Sequence, residues 1–481
     1  MRPLSGLDAS FLYAETPAAP MHVGSLTLLQ PASGHALDFA ALKRFVASRL
    51  GRVRATRERL VEVPFGLGAP YWIETPDFQL GLHVHHVALP APRGMKELTE
   101  LVTQIFTPPL DRSRPLWDMT VVEGLAGIAG LGDGAFGIIT KVHHAAIDGV
   151  SGATMLAAFL DTSPQIAPLP EVLPTWPGEP IPTPFELLGM AAREAVRTPD
   201  KLVRLVPKLA RAASRTVATR EQAVPLPIGA LEAPRTRFNG PLARQRAWAW
   251  VELDLARVRR VKAAHGVSLN DVVVATCAGA LRELLSELGE LPEAPLVAFL
   301  PVNVRQPADR EAGGNHVSAM RASLATDEPD PALRLQKIHA STTRSKIYHQ
   351  AAGASTAAEV SELVPYALGS LAAYLYVEFA GSRFVPSMFN TIITNVPGPQ
   401  IPLYLNGSRV VSTIGIAPIN EGVGLIHTVF SFNGRVTIGV CTAREWIPDL
   451  DRYLGRLRTA FEELEAAVPA PAISFPTAPD A

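Results

Sequence analysis

Ala135-Phe136-Gly137-Ile138-Ile139-Thr140-Lys141-Val142 runs directly into His143-His144-Ala145-Ala146-Ile147-Asp148-Gly149, and the rest of the chain is organised around this stretch. The apolar run predicts a buried strand, and residues 150 to 160 predict a helix. Two adjacent histidines at a strand's end point to opposite sides, so only one can face a given cleft. Asp148 falls in the turn before the helix, where a carboxylate can cap amides or pair with a base. Gly149 suits a sharp bend. Imidazole is the side chain best suited to take a proton near neutral pH, and both histidines are candidates for that role.

The 481 residues predict two domains. With 47% hydrophobic and 19% charged residues, the composition predicts large globular cores, and a net charge of -1 gives no reason to expect nucleic acid as a partner. Cys277 and Cys441 both lie in apolar runs, which argues for a reducing compartment and against a disulfide framework or a cysteine metal site. There is no apolar segment of the kind that begins a secretory signal, and no uncharged apolar run long enough to span a bilayer. The expectation is a cytoplasmic protein attached peripherally to a membrane or lipid-inclusion surface.

Upstream of the histidines, Met21 to Leu29 predicts a strand and Leu37 to Leu50 a helix. His83-Val84-His85-His86 resembles a metal cluster, but no nearby cysteine or carboxylate in the sequence completes a ligand set, so a polar strand end is preferred and no metal is expected. Arg114-Pro115-Leu116-Trp117-Asp118 predicts a packed corner with a buried indole. Gly132-Asp133-Gly134-Ala135-Phe136-Gly137 matches a dinucleotide fingerprint by letter, but a strand follows it rather than a helix; the glycines fit a hairpin turn instead.

Proline density from Thr162 to Pro184 marks a linker, and residues 185 to 222 predict helix, broken or kinked at Pro199 and Pro207. Arg193, Arg197, Lys201, Arg204, Lys208, Arg211 and Arg215 recur at steps of three or four. They form one basic stripe, either a solvated face over a linker helix or an attachment surface for a membrane. The expected division is 1–180 and 235–466 as two lobes, 181–234 as the linker with its basic helices, and 467–481 as a disordered tail. In the second lobe, Ser268-Leu269-Asn270-Asp271 predicts a capped start to a long helix, Leu296 to Leu300 a strand, and Asn390 to Pro399 a strand ending in a tight turn. Further strands are expected through Val429 to Phe432 and Arg435 to Val440, and a last helix from about Leu450 to Ala466.

The seven-residue stretch from His143 to Gly149 resembles the H-H-x-x-x-D-G motif of the coenzyme-A-dependent acyltransferase superfamily. Other motifs occur in order: Pro3-Leu4-Ser5, Pro20-Met21-His22-Val23-Gly24, Arg114-Pro115-Leu116-Trp117, Asn270-Asp271 and Asn395-Val396-Pro397-Gly398-Pro399. Together they resemble the bacterial wax ester synthase/diacylglycerol acyltransferase family over nearly the whole chain. The D-F-G-W-G motif of the plant members of the superfamily is absent.

The resemblance implies an α/β fold of two chloramphenicol-acetyltransferase-like lobes with mixed sheets and a tunnel between them. It implies acyl-CoA as donor substrate, no cofactor, and diacylglycerol or a long-chain alcohol as acceptor. His144 is then the general base, with His143, Asp148 and Gly149 supporting the motif. Asn270, beside a helix N-terminus, is a candidate oxyanion donor or a cap, with Asp271 next to it. Arg305 is the expected partner of Asp148, because a buried carboxylate needs a cation or several amides. A thiolate leaves readily, and the sequence has no G-x-S-x-G elbow, so no covalent acyl-enzyme is expected. An ordinary imidazole pKa predicts loss of activity below about pH 6. Acylation of another lipid or polyketide hydroxyl is the alternative chemistry. A non-catalytic lipid-inclusion protein is the other alternative, and the intact histidine motif argues against it.

Overall fold

A computed structural model of the chain describes residues 1–32, 36–146, 158–166, 168, 170, 176–196, 232–303, 317–352, 366, 369, 371–372, 379, 382 and 386–468. Two six-stranded sheets and one three-stranded sheet carry the described fold. In the first large sheet β7 (Phe136–His143) is central, between β2 (His22–Gln30) and β6 (Trp117–Glu123). Beyond β6 lies β5 (Val84–Ala88), parallel to it; the pairs β2–β7 and β6–β7 are antiparallel. Every residue of β7 is buried, which is why its sequence is a continuous apolar run rather than an alternating one. Its buried polar residues toward the end are Thr140, Lys141 and His143, and the Lys141 ammonium is satisfied by the carbonyls of Ile105 and Pro108. The glycine-rich stretch before β7 is the β6–β7 hairpin loop, with Gly134 at φ 74.

The outer strands of this sheet come from far along the chain. β13 (Ser408–Ile416) pairs antiparallel with β2, and β12 (Tyr404–Leu405) pairs with β13. The second large sheet runs β10 (Val317–Ser323), β9 (Val297–Asn303), β11 (Thr391–Pro397), β14 (Leu425–Phe432), β15 (Arg435–Ala443) and β8 (Arg246–Asp254). Within it β11 is parallel to both neighbours and the other pairs are antiparallel, so the sheet is mixed. The small sheet is β1 (Arg2–Pro3), β4 (Tyr71–Glu74) and β3 (Glu58–Val61).

Alternation along the strands divides the cores. Ile138 and Val142 of β7 join Phe45, Trp72 and Trp117 on one face of the first sheet. Ile139, with Leu26 and Leu28, faces the other way and is continuous with the core of the second sheet. That second core is filled by helices Leu269–Glu287 and Leu450–Ala466. The long helix begins as expected: Ser268 accepts from the Asp271 amide at 3.2 Å and Asp271 returns the bond to the Ser268 amide at 2.9 Å. α1 (Gly6–Ala14) is capped by Ser5, α2 (Phe39–Arg49) by Asp38, and α3 is Met95–Phe106.

No single described helix is long and apolar enough to cross a membrane. One bent pair, Leu255–His265 with Leu269–Glu287, meets that test of composition, but Val272 to Leu281 of the second helix is core. Residues 184–196 are helical, in agreement with part of the expected linker helix. The helix expected from 150 to 160 and the tail fall mainly outside the described residues.

Candidate active site

Pairing of β2 with β7 sets His22 against His143 at the end of the sheet. The His143 amide donates to the Leu116 carbonyl at 2.9 Å, tying the motif to the Pro-Leu-Trp corner. That corner is packed as expected: Trp117 is buried and its indole N–H donates to the Thr56 carbonyl at 2.9 Å. The His143 ring is buried, and its Nδ1 accepts from the Ala145 amide at 3.1 Å. An accepting Nδ1 leaves the proton on Nε2, which lies 3.5 Å from a Glu15 carboxylate oxygen. His143 is therefore held in one tautomer by its own loop and by a carboxylate.

His144 opens the short turn His144–Ala146, and its amide donates to the Met21 carbonyl at 2.8 Å. Its ring stacks on Phe11 of α1, with centroids 3.7 Å apart and planes 14° from parallel. Its Nδ1 is buried without a hydrogen-bond partner from another residue. Burial pushes the His144 pKa down to about 4, helped by the neighbouring His143 and opposed by its own main-chain carbonyl. The imidazole is thus neutral throughout the physiological range. The expected loss of activity below about pH 6 takes an ordinary imidazole; with His144 as the base, this burial moves the expected loss to lower pH.

Glu15 and Arg112 belong to this site, and neither stood out in the sequence. Arg112 grips the Glu15 carboxylate through Nη2 at 2.6 Å and Nε at 3.2 Å and reaches Glu62 at 3.1 Å. Burial alone would raise the Glu15 pKa, but His143 and Arg112 overcome it and hold it at about 2. Glu15 also accepts from the Met21 amide at 3.2 Å, the residue whose carbonyl holds His144. One carboxylate therefore braces both histidines. The only sequence signal was local: Glu15 ends α1, the helix that also supplies Phe11.

Asp271 is fully buried and accepts from Thr342 at 2.7 Å and His339 at 2.8 Å besides closing the cap with Ser268. Its neighbour Asn270 makes no part of that cap. Its Oδ1 accepts from the Asn395 amide at 3.1 Å, joining the Asn-Asp and Asn-Val-Pro-Gly-Pro motifs. The described hydrogen bonds of this pair and those of His144 form separate groups. Asp148, Gly149 and Arg305 lie outside the described residues, as do Arg197, Lys201, Arg204, Lys208, Arg211 and Arg215; Arg193 is exposed on helix 184–196.

The second histidine cluster is occupied by protein contacts. His83 is buried between Phe78 and Trp117 and donates from Nδ1 to the Trp117 carbonyl at 2.8 Å. His86 stacks on Phe39 and pairs with Glu123 at 2.9 Å. Strand pairing brings a carboxylate that the linear sequence hid: Asp118 Oδ1 is 3.9 Å from His83 Nδ1 and 3.8 Å from His85 Nε2. Among the described residues no group of histidine, cysteine and acidic side chains could hold a metal ion. Burial pushes the Cys277 thiol well up and the Cys441 thiol to about 12, so neither supplies a thiolate nucleophile.

Comparison with known proteins identifies the family of the chain. The wax ester synthase/diacylglycerol acyltransferase catalytic domain model matches residues 4–273, and the C-terminal domain model of the same family matches residues 313–465. A Mycobacterium tuberculosis (strain CDC 1551) protein described as a diacylglycerol O-acyltransferase is 37% identical over 489 residues, covering 96% of this chain and 90% of its own. Another from the H37Rv strain, with the same description, is 36% identical over 471 residues, covering 96% and 98%. The solved wax ester synthase/diacylglycerol acyltransferase of Marinobacter aquaeolei VT8 superposes with a TM-score of 0.68 at 30% identity, over 96% of this chain and 99% of that one. The first condensation domain of the calcium-dependent antibiotic synthetase, at 16% identity and a TM-score of 0.56, covers 98% of each chain and shares the two-lobed fold. The chain belongs to the wax ester synthase/diacylglycerol acyltransferase family and is an acyltransferase.

Proposed function

We propose that this protein moves a long-chain acyl group from acyl-CoA to the hydroxyl of diacylglycerol or a long-chain alcohol, giving triacylglycerol or wax ester. The observation that carries the reading is His144: a neutral imidazole at the end of a rigid buried strand, clamped by Phe11 and the Met21 carbonyl. An alcohol is too weak an acid to attack a thioester unaided. With its proton on Nδ1 beside its own carbonyl, His144 presents the Nε2 lone pair to the acceptor hydroxyl. It takes that proton as the oxygen attacks the thioester carbon. The tetrahedral oxyanion collapses, the carbon–sulfur bond breaks, and coenzyme A leaves as a thiolate that takes the proton back from the imidazolium. His143 and Glu15 act through His144 as positioning residues.

Asn270 is assigned to the oxyanion. Its carbonyl oxygen is committed to Asn395, so its NH2 group is the end left to donate. Asp148 is assigned a structural role under the loop, paired with Arg305. The acceptor is dissolved in lipid, so the protein works at a membrane or inclusion surface, with the basic residues from Arg193 to Arg215 as its electrostatic attraction. Purified protein incubated with palmitoyl-CoA and either hexadecanol or diacylglycerol tests the reading, with free coenzyme A titrated by a thiol reagent. Release that depends on the acceptor supports it, and the faster acceptor identifies the product class. Release that is absent, or independent of any acceptor, overturns it.

A further inference from the structure

Among the described residues, the three most exposed large apolar side chains are Phe65 at 90%, Phe185 at 86% and Val196 at 81%. All three sit on one structural unit. Helix 184–196 packs Leu187 against Val61 and Ile73 of the small sheet, and its Ala191 lies against Gly68, just beyond the turn that carries Phe65. On the helix's opposite side, Phe185, Gly189, Ala192 and Val196 recur at i, i+4, i+7 and i+11, and all four are exposed. A surface helix ordinarily turns its polar stripe outward; this one turns an apolar stripe outward as well as inward. An added side-chain carbon at Gly189 would meet nothing within 4 Å.

The turn is built to project as well. Phe65 adopts φ 60 and ψ 13, a left-handed conformation that bulky residues rarely accept, followed by Gly66 at φ 64. That backbone strain is spent on holding an aromatic ring in the open. Leu67 beside it is 61% exposed.

We infer that the Phe65 turn and the outward stripe of helix 184–196 form the surface by which this protein docks onto an anionic lipid layer. The sequence that continues from this helix favours that occupant over a second copy of the chain. From Arg193 to Arg215 the sequence places seven lysines and arginines against only Glu194 and Asp200. Exposed apolar rings on a helix whose sequence runs on into an excess of cations match an anionic interface, whereas the cores of protein–protein contacts are depleted of net charge. The inference rests on the proposed lipid acceptor and adds the route to it. Strand β3 continues into Glu62, which binds Arg112, and Arg112 binds the Glu15 that braces both histidines. The docking unit is therefore joined through Glu62, Arg112 and Glu15 to His143, the chain neighbour of the reacting His144.

The test is flotation of the full chain with phosphatidylcholine vesicles, with and without phosphatidylglycerol. Variants are Phe65→Ser, Phe185→Ser and the double substitution, with Leu333→Ser as an exposed apolar control elsewhere. Thermal unfolding confirms that each variant is folded. Wild type should float with anionic vesicles, each phenylalanine change should lower partitioning roughly tenfold, and Leu333→Ser should not change it. Equal partitioning of wild type and the double variant overturns the inference. So does a wild-type dimer that Phe65→Ser converts to monomer without affecting flotation. Coenzyme A release assayed in detergent separates the two readings: release without flotation defeats docking alone, and flotation without release defeats the acyltransfer reading alone.

Discussion

Replacing Glu15 with glutamine tests the brace behind the histidines. The change keeps the side chain's shape and removes the charge that Arg112 grips at 2.6 and 3.2 Å and that lies 3.5 Å from His143 Nε2. The carboxyl is held at about 2 against an ordinary 4.5, although burial works in the opposite direction. At 1.36 kcal/mol per pH unit that gap corresponds to roughly 3 kcal/mol, and partial solvent access reduces the expected loss to about 2 kcal/mol. Because the folded pKa is depressed, this stability is complete above about pH 4.5 and is lost as pH falls toward 2. Glu15→Gln should therefore lower the urea midpoint at pH 7, and it should lower transfer because His143 loses its anchor. Arg112→Met should do the same, and the double variant should be little worse than either, with a coupling of at least about 1 kcal/mol. Losses that add to within about 0.5 kcal/mol would show that the pair does not act as a unit, and the argument for a shared brace would fail.

Burial holds His22 and His427 at about 3 and His83 and His144 at about 4, below the ordinary 6.5. The unfolded chain takes up protons there before the folded one does, so stability should fall by several kcal/mol between pH 6.5 and 4; denaturant midpoints that stay flat over that window would contradict the burial. Asp271→Asn places an amide N–H2 among three donors and should cost about 1–3 kcal/mol in a urea titration, whereas an unchanged midpoint would mean the cap is dispensable. A side-chain carbon at Gly424 would sit 1.4 Å from the Trp446 ring, so Gly424→Ala should lose at least about 1–3 kcal/mol, and wild-type melting would show that the indole moves freely.

The most periodic stretches were the most legible. Leu450–Ala466 matches its expected bounds because an acidic N-cap and a clean helical apolar stripe reinforce one another. β7 was legible because full burial leaves an uninterrupted apolar run, and the capping box at Ser268 because its two bonds are made within four residues. What depended on distant pairing was hidden. The return of β12 and β13 to β2 joins residues nearly 400 positions apart, and no local pattern encodes it. Asp118 reaches His83 and His85 only through the β5–β6 register, so that cluster looked short of a carboxylate. Phe11, Glu15 and Arg112 look like ordinary helix and loop residues until α1 is laid against the turn at His144. The low pKa of His144 was equally invisible, since burial is its largest cause and the adjacent His143 only adds to it.

The account rests on His144 acting as the base, and coenzyme A release by His144→Ala measures that most directly. The variant should stay folded, because the ring's Nδ1 has no partner in another residue to lose and the bond to the Met21 carbonyl is made by the main chain; what it gives up is the stack on Phe11. With palmitoyl-CoA and the better acceptor, its turnover should fall by at least a hundredfold, on the order of 3 kcal/mol in barrier, while His143→Ala should lose both stability and turnover. A folded His144→Ala protein that retained turnover within about tenfold of wild type, a deficit under roughly 1.4 kcal/mol, would contradict the account.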